Sequence, residues 1–129
     1  MESILTSIKK LLGLEEEYVQ FDADIIIFIN SALMSANMLG IGPVLGFNIT
    51  DKTQTWSSFV GNRQDLSSIK SYIFLKVKLV FDPPQMGYLV EAIKQQITEL
   101  EWRLNVQVET IDLESLQSGG DFIFVPLEE

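Results

Sequence analysis

Ser71-Tyr72-Ile73-Phe74-Leu75-Lys76-Val77-Lys78-Leu79-Val80-Phe81 is the stretch on which the fold class turns. It is rich in β-branched and aromatic residues, and Lys76-Val77-Lys78 alternates as in a strand. The same residues also carry a helical stripe. Ile69, Tyr72, Ile73, Val77 and Val80 recur at three- and four-residue steps, and Asp65 upstream is a candidate N-cap. Asp82-Pro83-Pro84 ends the element on either reading, because proline lacks the amide donor and restricts the residue before it. The local chemistry favours a helix and leaves the strand open.

Downstream the pattern is plainer. Met86, Leu89, Val90, Ile93, Ile97, Leu100 and Leu104 form a stripe that predicts a long amphipathic helix facing the core. Glu99 and Arg103 stand in the favourable acid-before-base order, one turn apart. Trp102 lies off the stripe, where it either packs under the tail or faces a partner.

Upstream, Ile4, Leu5, Ile8, Leu11 and Leu12 predict a short helix, capped by Ser3 and ended by Gly13. Glu15-Glu16-Glu17 reads as a solvated connector. From Asp22, an expected N-cap, Ile25, Ile26, Ile29, Ala32, Leu33 and Ala36 share one helical face. Leu39-Gly40-Ile41-Gly42-Pro43 breaks that helix. Phe47-Asn48-Ile49-Thr50 is expected to be extended. Thr50 or Thr53 is the expected cap of a short turn that carries Trp56 and Phe59 into the core and ends at Gly61.

The chain changes character after Leu104. Residues 1–104 hold all nine basic residues and carry a net charge of −3, whereas residues 105–129 hold six acids and no base. Val106 and Val108 alternate with Gln107 and Glu109, as in an edge strand. Ser118-Gly119-Gly120 reads as a hinge. Phe122-Ile123-Phe124-Val125 is then a short apolar plug, stopped by Pro126. The expected division is therefore a helical domain over 1–104 and an acidic docking tail over 105–129. Strand addition to another chain is the preferred role for the plug, because a helical domain has no sheet edge to receive it.

Composition removes whole classes of function. The chain has 129 residues, 47% hydrophobic and 21% charged, which fits one folded domain. It has no cysteine and no histidine, so thiolate sites, disulfides, thiol nucleophiles, imidazole bases and the commonest zinc ligands are absent. No phosphate-binding loop occurs: Gly40-Ile41-Gly42-Pro43 lacks the following Lys and Ser/Thr. Asp22 with Asp24, and Glu99 with Glu101, are two apart on helices and diverge, so neither makes a catalytic carboxylate pair. No catalytic, cofactor or metal site is expected. The net charge of −9 opposes nucleic acid and anionic lipid alike. Met1-Glu2-Ser3-Ile4-Leu5 is too polar for a signal peptide. The apolar run Ile25–Ile29 is far short of the ~20 residues that span a bilayer, so no membrane role is expected.

Lys70 through Pro84, followed by Ile97-Thr98-Glu99-Leu100-Glu101-Trp102-Arg103-Leu104-Asn105, resembles the head–tail connector (head completion, adaptor) proteins of long-tailed phages and prophages. The short N-terminal helix, Phe21-Asp22 before an Ile-rich helix, Gly40-Ile41-Gly42-Pro43, and Thr55-Trp56 with Phe59 agree with it. The likeness covers residues 1–109. It implies a small α-helical bundle, which settles Ser71–Phe81 as helix. The expected fold is then all-α, of about four to five helices, with an extended, partly strand-like C-terminal tail. The resemblance further implies a non-enzymatic ring, commonly dodecameric, docked beneath the portal protein. Such a ring joins capsid to tail, extends the DNA channel and receives the next head-completion or tail protein. The expected location is the head–tail interface of the virion, after synthesis in the host bacterial cytoplasm.

The charge suits that role. A ring of such chains would carry on the order of a hundred negative charges, and DNA passes an acidic wall without binding specifically. The residues expected at subunit or portal contacts are Trp102, Val106, Val108, Phe122, Ile123, Phe124 and Val125. The alternative from another class is an acidic mimic of DNA that inhibits a host nuclease or DNA-binding protein. Such a mimic needs a row of carboxylates along one face, and here they cluster in loops and the tail.

Overall fold

A computed structural model describes residues 2–61 and 66–118, with side chains as far as Glu109. It contains five helices: α1 (Ile4–Leu11), α2 (Asp22–Met38), α3 (Trp56–Val60), α4 (Leu66–Phe81) and α5 (Gly87–Ser118). There is no strand among the described residues, only a single antiparallel bridge between Ser3 and Thr55. Ser71–Phe81 is thus helical. Its stripe of Ile69, Tyr72, Ile73 and Val77 is buried, and Val80 is left exposed at the end.

α4 is the central element, with α2 and α5 each packed along it and α1 laid across α2 and α4. The Phe81 ring meets Phe21 edge-on at 5.5 Å and Phe28 at 6.4 Å, so the end of α4 lies beside the start of α2. The two helices are antiparallel, and α5 turns back along α4 after Pro83-Pro84. The core is built from Ile4 and Ile8 of α1, Ile25, Ile29 and Leu33 of α2, Trp56, Tyr72 and Leu104.

The helix starts show where short-range reading succeeds. Ser3 caps α1 as expected, its side chain accepting from the Thr6 amide at 3.2 Å. Two expected caps are corrected. Asp22 is not the cap of α2 but its first helical residue, after Phe21, which makes no side-chain cap bond. Its carboxylate lies 2.9 Å from Nζ of Lys9, a side chain almost wholly buried. That ammonium also donates to the Glu16 carbonyl at 2.9 Å. A buried cation needs such partners, and this demand outweighs capping. The contact with Asp22 is an ion pair by distance without hydrogen-bond alignment. It ties α1 to α2 and holds the acidic connector between them.

The cap of α3 is Thr55, whose hydroxyl accepts from the Ser58 amide at 3.2 Å, rather than Thr50 or Thr53. Those two residues build the preceding turn. Gln54 Oε1 accepts from the Thr50 amide at 2.8 Å, and Asp51 accepts from the Thr53 amide at 2.8 Å. Asp65, the expected cap of α4, lies outside the described residues. Phe47–Thr50 is irregular backbone without a ladder. Its polar groups are met by Asn30 of α2, which donates to the Ile49 carbonyl at 3.0 Å and accepts from the Ile49 amide at 2.7 Å. A half-buried Asn thus does the work of a neighbouring strand.

The largest correction concerns residues 105–118. The expected edge strand at Val106–Glu109 is helix, and α5 continues through it to Ser118. Leu100, Leu104 and Val108 stand one turn apart, so the helical period runs on where a four-residue window shows alternation. The division expected after Leu104 therefore falls inside one helix of about 48 Å.

The turn after α2 is rigidly made. Asn37 donates to the carbonyls of Ile41 at 3.0 Å and Pro43 at 2.7 Å, and Ile41 is fully buried. Gly42 has φ +86°, and a Cβ there would stand 2.4 Å from the Phe59 ring. Phe59 is itself buried and packed on Phe47 with ring centres 5.3 Å apart, so it has little room to retreat. Left-handed backbone costs an L-residue about 1–2 kcal/mol, and forced overpacking about 1–3 kcal/mol. Gly42→Ala is expected to lower stability by about 2–4 kcal/mol, read as a shift in the denaturant midpoint. A shift under 0.5 kcal/mol would show that this turn is not fixed as described.

Candidate interaction surface

α5 places the expected contact residues. Trp102 and Val106 are one turn apart on the same face, opposite buried Leu104, and point away from the body. Trp102 is 68% exposed, unusual for the largest apolar side chain. Val108 instead turns inward, where its Cγ1 would lie 2.9 Å from a Cβ on Gly40. It is half-buried and packs on the core, so α5 closes on the turn after α2. The structure therefore brings Trp102 and Val106 together and sets Val108 apart from them. Phe122, Ile123, Phe124 and Val125 lie outside the described residues.

Neighbouring polar groups hold α5 in register. Tyr72 Oη, in the middle of α4, donates to Glu101 at 2.9 Å. Burial first, and then the acceptor carboxylate, push the phenol well above its usual range, so Tyr72 stays protonated as the donor. Arg103 pairs with Glu99 at 2.6 Å on the surface, the expected turn-to-turn pair. Of the two close acid pairs, Asp22 answers Lys9 while Glu99 and Glu101 point to different partners. Among the described residues no cluster of three or more potential ligands could hold a metal ion. No helix among them is long and apolar enough to cross a membrane.

The long stripe on α5 is less buried than its period predicts. Only Ile97 and Leu104 are fully covered, while Met86 and Leu89 are exposed and Ile93 and Leu100 half-covered. Among the described residues no further helix covers them, and this apolar area faces outward. Sequence reasoning also missed a second exposed face. Ile27, Met34 and Met38 share the outer side of α2, and Val44 and Leu45 form the tip of the following turn. The available signal was the run Ile25-Ile26-Ile27-Phe28-Ile29, which is apolar all round, whereas a one-sided surface helix alternates with polar residues.

A family model described as phage connector protein matches residues 4–110. No match was found among curated proteins or among solved structures.

Proposed function

Because the chain belongs to the phage connector protein family, a family of structural virion components, we propose that its copies form a ring, dodecameric in the simplest case, beneath the portal. There it joins capsid to tail and extends the DNA channel. The observation that carries this reading is the family match over residues 4–110, which takes in α1 to α4 and most of α5. The exposed Trp102 and Val106 support it, because an aromatic anchor beside an aliphatic neighbour is what a protein contact uses at its centre. The charge supports a channel role: with −9 per chain, the ring repels phosphate and lets DNA slide.

The acids of the body suit a scaffold better than a mimic of DNA. Glu2, Asp22, Asp82, Glu91 and Glu99 each face a lysine or arginine of the same chain. A carboxylate already paired has little field left to imitate a phosphate row. The apolar segment Phe122–Val125 then serves as the docking element, on the portal or on a neighbouring copy, by adding its main chain to an exposed strand edge. Many weak tails acting together give a firm attachment.

The test is to titrate the protein onto the portal of the same genome and weigh the particles. The expected result is added mass that saturates at a whole multiple of 14.6 kDa, with one copy per portal subunit. A portal whose mass stays unchanged at saturating protein would contradict the proposal.

A further inference from the structure

The outer face of α2 and the turn after it belong to a segment without charge. From Ile25 to Thr50 there is no Asp, Glu, Lys or Arg, in a chain where 21% of residues are charged. Within it, Ile27, Met34 and Met38 stand exposed at helical spacing. Val44 and Leu45, 94% and 99% exposed, project from the Pro43–Gly46 turn, which closes with a 2.9 Å bond from the Gly46 amide to the Pro43 carbonyl. The turn is preorganised by the two Asn37 bonds and by Gly42 under Phe59. It is a fixed apolar prong, and a rigid prong loses little entropy when a partner covers it.

A groove of matching character runs along the far side of α4. Its floor is Phe74, Leu75 and Leu100, and its rim holds Ser71, Gln96 and the Glu99–Arg103 pair, whose charges cancel each other. α4 separates this groove from the exposed face of α2, since α2 and α5 pack on different sides of it. Prong and groove are thus two different, non-overlapping surfaces of one molecule.

We propose that the prong of one copy, Val44 and Leu45 with Met38 beside them, seats in the α4–α5 groove of the next copy. Charge selects a second copy as the occupant. Two chains of −9 each repel wherever their acids face one another, and these are the surfaces on which neither presents an uncompensated charge. A cationic partner would instead be drawn to the acid-rich loops. Because the contact joins unlike surfaces, it is head-to-tail, the kind that closes into a ring rather than a two-fold dimer. The inference rests on the ring reading above and names the subunit contact that it requires.

The absence of cysteine makes the test clean. Leu45→Cys and Gln96→Cys, both at exposed positions, are introduced singly and together, and the protein is assembled on the portal, imaged, and treated with a short bismaleimide. The expected result is a ladder of covalent multimers from the double variant, with neither single variant linking to another copy. Met38→Asp/Leu45→Asp is expected to keep the wild-type melting temperature and to lose the ring. Dimers from Leu45→Cys alone would mean a two-fold contact and overturn the proposal. An imaged ring without a ladder would overturn it too, while leaving the connector reading intact. If wild-type protein gives no ring on the portal, the connector reading itself fails and this proposal with it.

Discussion

Removal of residues 119–129 is expected to leave the helical body folded and to abolish its attachment to the portal. Among the described residues the core cluster is drawn from Ile4 through Leu104, all of which the deletion leaves in place. The cut also falls after the end of α5 at Ser118. The deletion removes Phe122-Ile123-Phe124-Val125, the most apolar run in a segment that otherwise bears acids. Circular dichroism and the melting temperature should match the full chain within a degree or two. Portal binding should fall by about 100-fold or more, because the proposed attachment rests on many weak tails acting together. A deletion variant that still adds its full mass to the portal would show that docking resides in the helical body, with Trp102 and Val106 the next residues to change.

Trp56→Ala is expected to cost the most in stability of any single change. Trp56 is only 1% exposed and sits at the start of α3, where α1, α3 and α4 meet. Its Nε1 donates to Ser7 Oγ at 3.0 Å, and Ser7 Oγ donates onward to the Ser3 carbonyl at 2.6 Å. The Ser3–Thr55 bridge fastens the same junction, with the Ile4 amide on the Gln54 carbonyl and the Trp56 amide on the Glu2 carbonyl, both at 3.1 Å. Truncating a buried Trp costs about 3–5 kcal/mol through lost transfer energy and an unfilled cavity. Small domains hold only about 5–15 kcal/mol in all, so the melting temperature should fall by on the order of 10 °C or more. Trp56→Phe keeps most of the volume and loses the hydrogen bond, so its cost should be nearer 1–2 kcal/mol. Equal losses from both variants would mean that the hydrogen bond, not the packing, holds the junction.

The helices that bury most of their apolar stripe were legible from sequence. In α2 the period from Ile25 to Ala36 matches the buried set except at half-buried Ile26, and in α4 the stripe is buried from Ile69 to Val77 and exposed at Val80. The ambiguity over Ser71–Phe81 came from composition. β-branched and aromatic residues suit a strand on propensity, but burial between α2 and α5 favours whichever form places the stripe inward. Val106–Glu109 failed for the opposite reason: four residues cannot separate a period of two from one of 3.6 when the decisive inward position, Val108, counts in both. The caps at Phe21 and Thr55 were missed because a buried Lys9 and the Gln54 turn compete for the polar side chains nearby.

The candidate surface was half legible. Trp102 stood out because it breaks its stripe, which left packing under the tail and facing a partner both open, and it is exposed. The α2 face did not stand out, because an apolar residue on an outer face reads like a core residue until the packing around it is known. Val44 and Leu45 were likewise hidden inside a segment that reads only as a helix breaker. An unbroken absence of charge from Ile25 to Thr50 was the missing clue, since a solvent-facing surface of that length normally carries charge.

The most direct test of the connector role is an image of the protein with its portal, each component alone serving as control. Negative-stain averages should show a second ring stacked coaxially on the portal, with a continuous central channel. A bare portal at saturating protein, or density attached off the axis, would contradict it.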